Sequence, residues 1–268
     1  MLEETRWFFG HLVKVDALAV FIFFATFFEY NLHTFSGRFS PWQPLEILKH
    51  LFSTKVKRWL RNCVIIGFLG SVISIFFLDL RVFSAMALLA IFTLAYSLPI
   101  VKKKEKFIRL RELTYLKIFI VAFVWSFVTV IVPILDFNDK VSFTEVFIIF
   151  FRRFLFIYAI TIPFEIRDME RERIIGNISL PMIYGVKAIK IIGLVFIAVF
   201  ILLCGVHEKY FAFLVAGRQN IFFPLALSGI AAALLIVFAS NQKSKWYFKF
   251  WTDGTMMMQF ILLLLFNQ

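Results

Sequence analysis

The run from Cys63 to Leu78 (Cys-Val-Ile-Ile-Gly-Phe-Leu-Gly-Ser-Val-Ile-Ser-Ile-Phe-Phe-Leu) is apolar on every face, whichever period is used to read it. A surface helix in water shows an apolar stripe opposite a polar one, and a half-buried strand alternates. A segment with neither pattern needs an apolar solvent on all sides. Comparable stretches recur at 15–31, 82–100, 118–135, 144–164, 191–206, 221–239 and 251–266. Crossing the hydrocarbon core takes about 20 mainly apolar residues. A transmembrane β-barrel would instead alternate apolar and polar positions over about ten residues. The expected fold class is therefore all-α, a polytopic transmembrane bundle of about eight spans forming a single domain over 1–268. The composition agrees: 61% of the 268 residues are hydrophobic, 38 are Phe, and the mean hydropathy is +0.86. The charged segment Met1–Asp16 has no small-residue cleavage site, so no removable signal peptide is expected.

Charge orients the bundle. The loops after the first, third, fifth and seventh spans hold 21 of the 29 basic residues, and the intervening loops hold only Arg81, Lys140, Lys209 and Arg218. Lys and Arg are retained on the cytoplasmic side. The odd-numbered loops are thus expected in the cytoplasm and both termini on the far side, in an inner or plasma membrane. The net charge of +12 reads as a topology signal and a contact for anionic lipid, not as a nucleic-acid surface. Cys63 and Cys204 fall near opposite faces and have no metal-ligand spacing.

Three cytoplasmic segments carry polar chemistry. Phe28-Glu-Tyr-Asn-Leu-His-Thr-Phe-Ser-Gly-Arg38 places Glu29, Asn31 and His33 at the edge of hydrocarbon. Tyr96-Ser-Leu-Pro-Ile-Val-Lys-Lys-Lys-Glu-Lys106 sets ammonium groups directly after a helix-ending proline. That placement suits either a stop signal or a phosphate-bearing ligand. In Tyr158–Gly185, Glu165, Asp168, Glu170 and Glu172 alternate with Arg167, Arg171 and Arg173. Asp168 and Glu172 stand at i and i+4, on one face of a helix. Two carboxylates on one face suit Mg²⁺, and they equally suit a salt-bridged cytoplasmic helix. Arg152 and Arg153 lie inside the fifth span, about 12 residues or about 18 Å from its cytoplasmic end. Two readings stand for them: snorkelling to the far interface, or burial against a partner. Glu145 lies two turns away and does not obviously pair with them.

The run IRDMERERIIGNISLP, followed by Gly185, resembles the second aspartate-rich motif of the UbiA family of membrane prenyltransferases. YSLP with its lysines resembles that family's second cytoplasmic loop. YNLHTFSGR falls where the family has NxxxD, and Phe250-Trp-Thr-Asp-Gly254 resembles the lead-in to its last helix. The resemblance implies transfer of a polyprenyl group from its diphosphate to a lipid-soluble acceptor, aromatic or quinone-precursor, in a helical bundle with its active face cytoplasmic. It implies Mg²⁺ as cofactor, and isoprenyl diphosphate and membrane lipids as partners. Asp168 and Glu172 become catalytic metal ligands, with Asn31 as an auxiliary ligand. Lys102, Lys103 and Arg167 become diphosphate ligands, and Tyr96, Tyr158 and Asp253 further candidates. Two positions depart from the family pattern: Phe35 stands where the first motif has an acid, and Glu172 where the second has Asp. The first departure gives the alternative, a non-catalytic prenyl-lipid binder or carrier. The family typically has nine helices, so eight spans with outward termini fit a bundle one helix short at its start.

Overall fold

The computed structural model describes all residues except 12–14, 38–53, 98, 104–105, 110–112, 138–140, 211–219, 245 and 268. The side chains at 33–37, 54–57, 94–97, 99–103, 106–109, 114, 175 and 249 also lie outside the described set. The chain divides into two compact units, Lys14–Phe83 and Met1–Val13 with Ser84–Gln268.

In the smaller unit α2 (Ala17–Gly37) packs on α3 (Thr54–Ile75). Asp16 Oδ1 accepts the amide of Ala19 at 3.0 Å and so caps the first turn of α2. The pair approaches closely because α3 presents glycines. A Cβ on Gly67 would sit 2.8 Å from Phe28 Cα, and one on Gly70 would lie 2.4 Å from the Phe24 ring. Small residues let helix backbones come together where lipid supplies no hydrophobic drive. Ser71 and Ser74 return their hydroxyls to the carbonyls of Gly67 and Gly70, at 2.8 and 2.6 Å.

The larger unit begins with α1 (Leu2–Phe8) and takes in most of α4 (Leu80–Ser97). A two-stranded antiparallel hairpin follows, β1 (Pro99–Lys103) against β2 (Lys106–Arg109), which pairs Lys103 with Lys106. α5 (Thr114–Ser126) runs through a π turn (Phe127–Ile131) into α6 (Val132–Phe137). Then come the long α7 (Phe143–Ile175), a short α8 (Leu180–Tyr184), α9 (Val186–Tyr210) and α10 (Phe222–Phe238). A second π turn (Tyr247–Thr252) leads into α11 (Asp253–Phe266). α7 packs against α5, α9 and α10 around Phe156, Ile160, Ile197, Phe200, Leu225 and Ile236. Gly193 of α9 lies against Ile162 of α7, where a Cβ would meet Cδ1 at 2.8 Å.

Each of the eight apolar stretches coincides with a helix or helix pair. Arg58–Ile75, Tyr115–Phe137, Phe143–Ile174 and Val186–Tyr210 are long and apolar enough to cross a membrane, and four shorter apolar helices accompany them. Their outward residues are lipid-like: Ile73, Phe147, Leu202 and Phe238 are exposed. The protein is a helical integral membrane protein.

Two features went unforeseen. One is the hairpin in the basic loop. The other is α1, a charged helix outside the eight apolar stretches, in which Glu4, Thr5, Arg6, Trp7 and Phe8 are all buried. α1 explains Arg152 and Arg153. Snorkelling is corrected to burial, because both side chains are at most 2% exposed and Glu4 Oε1 lies 2.8 Å from Arg153 and 3.8 Å from Arg152. Arg153 also donates to Met1 O, Thr5 Oγ1 and Thr129 O, at 2.7, 3.0 and 3.2 Å. The Thr129 carbonyl can accept because Pro133, four residues on, has no N–H to give it. Arg152 donates to Cys204 Sγ and sits over the Phe8 ring.

Candidate functional site

The acidic segment of α7 begins two residues after Pro163 and ends at Gly176, where φ reaches +81°. The amide of Gly176 bonds to Arg173 O and that of Asn177 to Glu172 O, a Schellman closure that only a left-handed residue permits. This turn brings Asn177 back onto its own helix, and its Nδ2 donates to Glu172 Oε2 at 2.8 Å. Local chain geometry thus positions one of the two expected ligands.

Glu165, Asp168 and Glu172 follow one another at i, i+3 and i+7 and so share a face. Arg167 grips Asp168 with both forks, Nε to Oδ1 at 2.8 Å and Nη2 to Oδ2 at 2.9 Å. The guanidinium of Arg167 lies over the rings of Phe164 and Phe248, at 5.0 and 5.2 Å. Phe248 comes from the π turn before α11, so this stack joins the acidic helix to the aromatic lead-in. In the same turn Tyr247 donates its hydroxyl to Leu235 O, and burial pushes its phenol above the ordinary range.

A third cation reaches the face from another helix. Lys117 Nζ, on the first turn of α5, lies 2.8 Å from Glu165 Oε1 and 3.5 Å from Glu172 Oε1. By loop charge alone Lys117 counts as one more topology lysine, and the i, i+4 pairing of Asp168 with Glu172 leaves Glu165 aside. The i, i+3, i+7 spacing was the signal that could have grouped Glu165 with the pair. The partnership with Lys117 left none.

Below the acids lies aromatic surface. Tyr158, two turns before Glu165, packs edge-on to Phe196 at 5.1 Å and contacts Phe154 at 6.0 Å. Phe154 meets Phe119, which stacks on Phe123, and Phe123 touches Phe150 and Phe127. A ladder of rings therefore descends between α5 and α7 from the charged end into the apolar span.

The remaining expected residues are placed as follows. Asn31 belongs to the smaller unit, where its Nδ2 donates to Phe27 O at 2.7 Å. Tyr96 is in the last turn of α4 and Lys102 and Lys103 stand on β1, with side chains outside the described set, as are those of His33 and Phe35. Asp253 is exposed on the first turn of α11. Among the described residues no three His, Cys, Asp or Glu side chains converge as a metal cluster. The chemistry of the Asp168–Glu172 pair still fits Mg²⁺, which takes one or two carboxylates and completes its shell with waters and substrate phosphates.

The family model described as UbiA prenyltransferase family matches residues 45–261. No curated protein and no solved structure matches the chain.

Proposed function

The chain belongs to the UbiA prenyltransferase family, and from that premise we propose that it moves a polyprenyl group from its diphosphate to a lipid-soluble acceptor, an aromatic or quinone-precursor molecule. The observation that carries the reading is the meeting of a three-acid face, flanked by Arg167 and Lys117, with an aromatic ladder leading into the membrane. One end suits a diphosphate and the other an isoprenoid chain.

Asp168 and Glu172 would hold Mg²⁺, which supplies charge neutralisation to a departing diphosphate. Lys102 and Lys103 add positive charge for the phosphate oxygens, and the Arg167 fork, seated on Asp168, would turn to those oxygens once Mg²⁺ takes that carboxylate. Loss of diphosphate leaves an allylic cation. The faces of Phe119, Phe154 and Tyr158 offer it the negative side of the ring quadrupole and keep water away. An electron-rich carbon of the acceptor takes up the cation and then loses a proton. The active face is the one bearing the acidic segment, which the charge pattern assigns to the cytoplasm.

The test incubates purified protein with Mg²⁺, polyprenyl diphosphates of graded length and a panel of aromatic acceptors, beside Asp168→Asn. Diphosphate release by the wild type that falls at least a hundredfold in the variant, and stops on chelation, supports the enzyme. Equal slow release by both proteins and by blank membranes sinks it. Retained binding of the prenyl diphosphate would then favour the carrier.

A further inference from the structure

Glu165 is 5% exposed. A carboxylate so enclosed is costly unless a cation sits against it. The Lys117 ammonium does so at 2.8 Å, and it also reaches Glu172 at 3.5 Å. Glu165 and Glu172 are two turns apart with Asp168 between them, so Lys117 spans the ends of the acid face. Its backbone amide bonds to the carbonyl of Leu113, the N-cap of α5, and its side chain is only 25% exposed. The charge therefore arrives from a rigid element and cannot wander far.

We propose that Lys117 is a tethered cation that neutralises Glu165 permanently and limits the acid face to one divalent ion, held by Asp168 and Glu172. It is a positioning residue, acting through the two glutamates, and the inference rests on the metal-dependent reading above. An ammonium so placed does at Glu165 what a second divalent ion would do, without needing that carboxylate to be hydrated. It also competes for Glu172 Oε1, so it sets how tightly the single ion is held. Asn177 on Oε2 keeps the Glu172 carboxylate oriented while Oε1 changes partner.

The experiment titrates full-length protein in detergent with Mn²⁺ in the presence of inorganic pyrophosphate, reading bound ions by electron paramagnetic resonance, with no turnover required. Wild type should take up one ion per chain. Lys117→Met should hold the first ion at least tenfold more tightly and take up a second, while Lys117→Arg keeps the wild-type values. A double variant, Lys117→Met with Glu165→Gln, removes the buried pair together and leaves no uncompensated charge to upset folding. It should bind one ion only, at least tenfold more tightly than wild type. Two ions on the wild type, or equal number and affinity in wild type and both Met variants, would overturn the role of Lys117 and leave the metal reading standing. No Mn²⁺ on any protein, wild type included, would overturn both.

Discussion

Replacing Glu4 with Gln asks whether the charged N-terminal helix is an integral part of the bundle. Glu4 is 1% exposed and faces two guanidinium groups that are equally enclosed, at 2.8 and 3.8 Å. At an effective dielectric near 20 these two attractions come to about 6 and about 4 kcal/mol. Desolvating each ion costs several kcal/mol, so the triad as a whole adds little net stability. Breaking it is another matter. Glutamine is isosteric but neutral, and two arginines would remain buried with no counter-charge, which costs about 3–5 kcal/mol. Arg153 keeps its bonds to Met1 O, Thr5 Oγ1 and Thr129 O, and Arg152 keeps Cys204 and the Phe8 ring. These residual partners place the expected loss at the lower end, about 3 kcal/mol. At about 2–4 °C per kcal/mol for a chain of this size, the midpoint should fall by about 6–12 °C. Thermal unfolding of the detergent-solubilised protein measures it. Adding Arg153→Met to Glu4→Gln should recover part of the loss, because the uncompensated charge leaves with the carboxylate. A single variant within about 1 °C of wild type would refute the reasoning, since it would mean that α1 does not sit against α7.

Three other expectations can be checked in the same format. Gly70→Val should destabilise the smaller unit by about 1–3 kcal/mol through overpacking against Phe24, seen as faster proteolysis within 14–83. Gly176→Ala forces a β-carbon onto a backbone at φ +81° and should lower stability by about 1 kcal/mol, although a Cβ there would meet open space. A larger steric effect would contradict the structure. Arg167→Gln removes both the fork on Asp168 and the charge over Phe164 and Phe248, and should lower the unfolding midpoint by about 2–4 °C.

Unpaired helix ends show where local reading stops. The N-cap of α10 is Ile221, which carries no capping oxygen, and the amides of Ile221 and Phe222 are taken by Glu208 Oε2 from the preceding helix. Its last turn is closed by Lys190 Nζ on Val237 O at 2.7 Å, again from α9. Neither cap has a sequence signature, because each links residues that no periodicity connects.

Whatever depends on composition over one helix length was decided by the sequence alone. The eight apolar stretches had to become helices, since lipid offers no partner for a free backbone amide or carbonyl. The i, i+4 spacing of Asp168 and Glu172 likewise guaranteed a shared face. Tertiary structure decided which distant groups answer those placed locally. It chose Glu4 for Arg152 and Arg153 across more than half of the chain, and Lys117 for Glu165 across 48 positions. Such pairings follow from how helices pack, and packing in a bilayer turns on close-approach positions such as Gly67, Gly70 and Gly193. In the sequence those positions look like any other small residue in an apolar run.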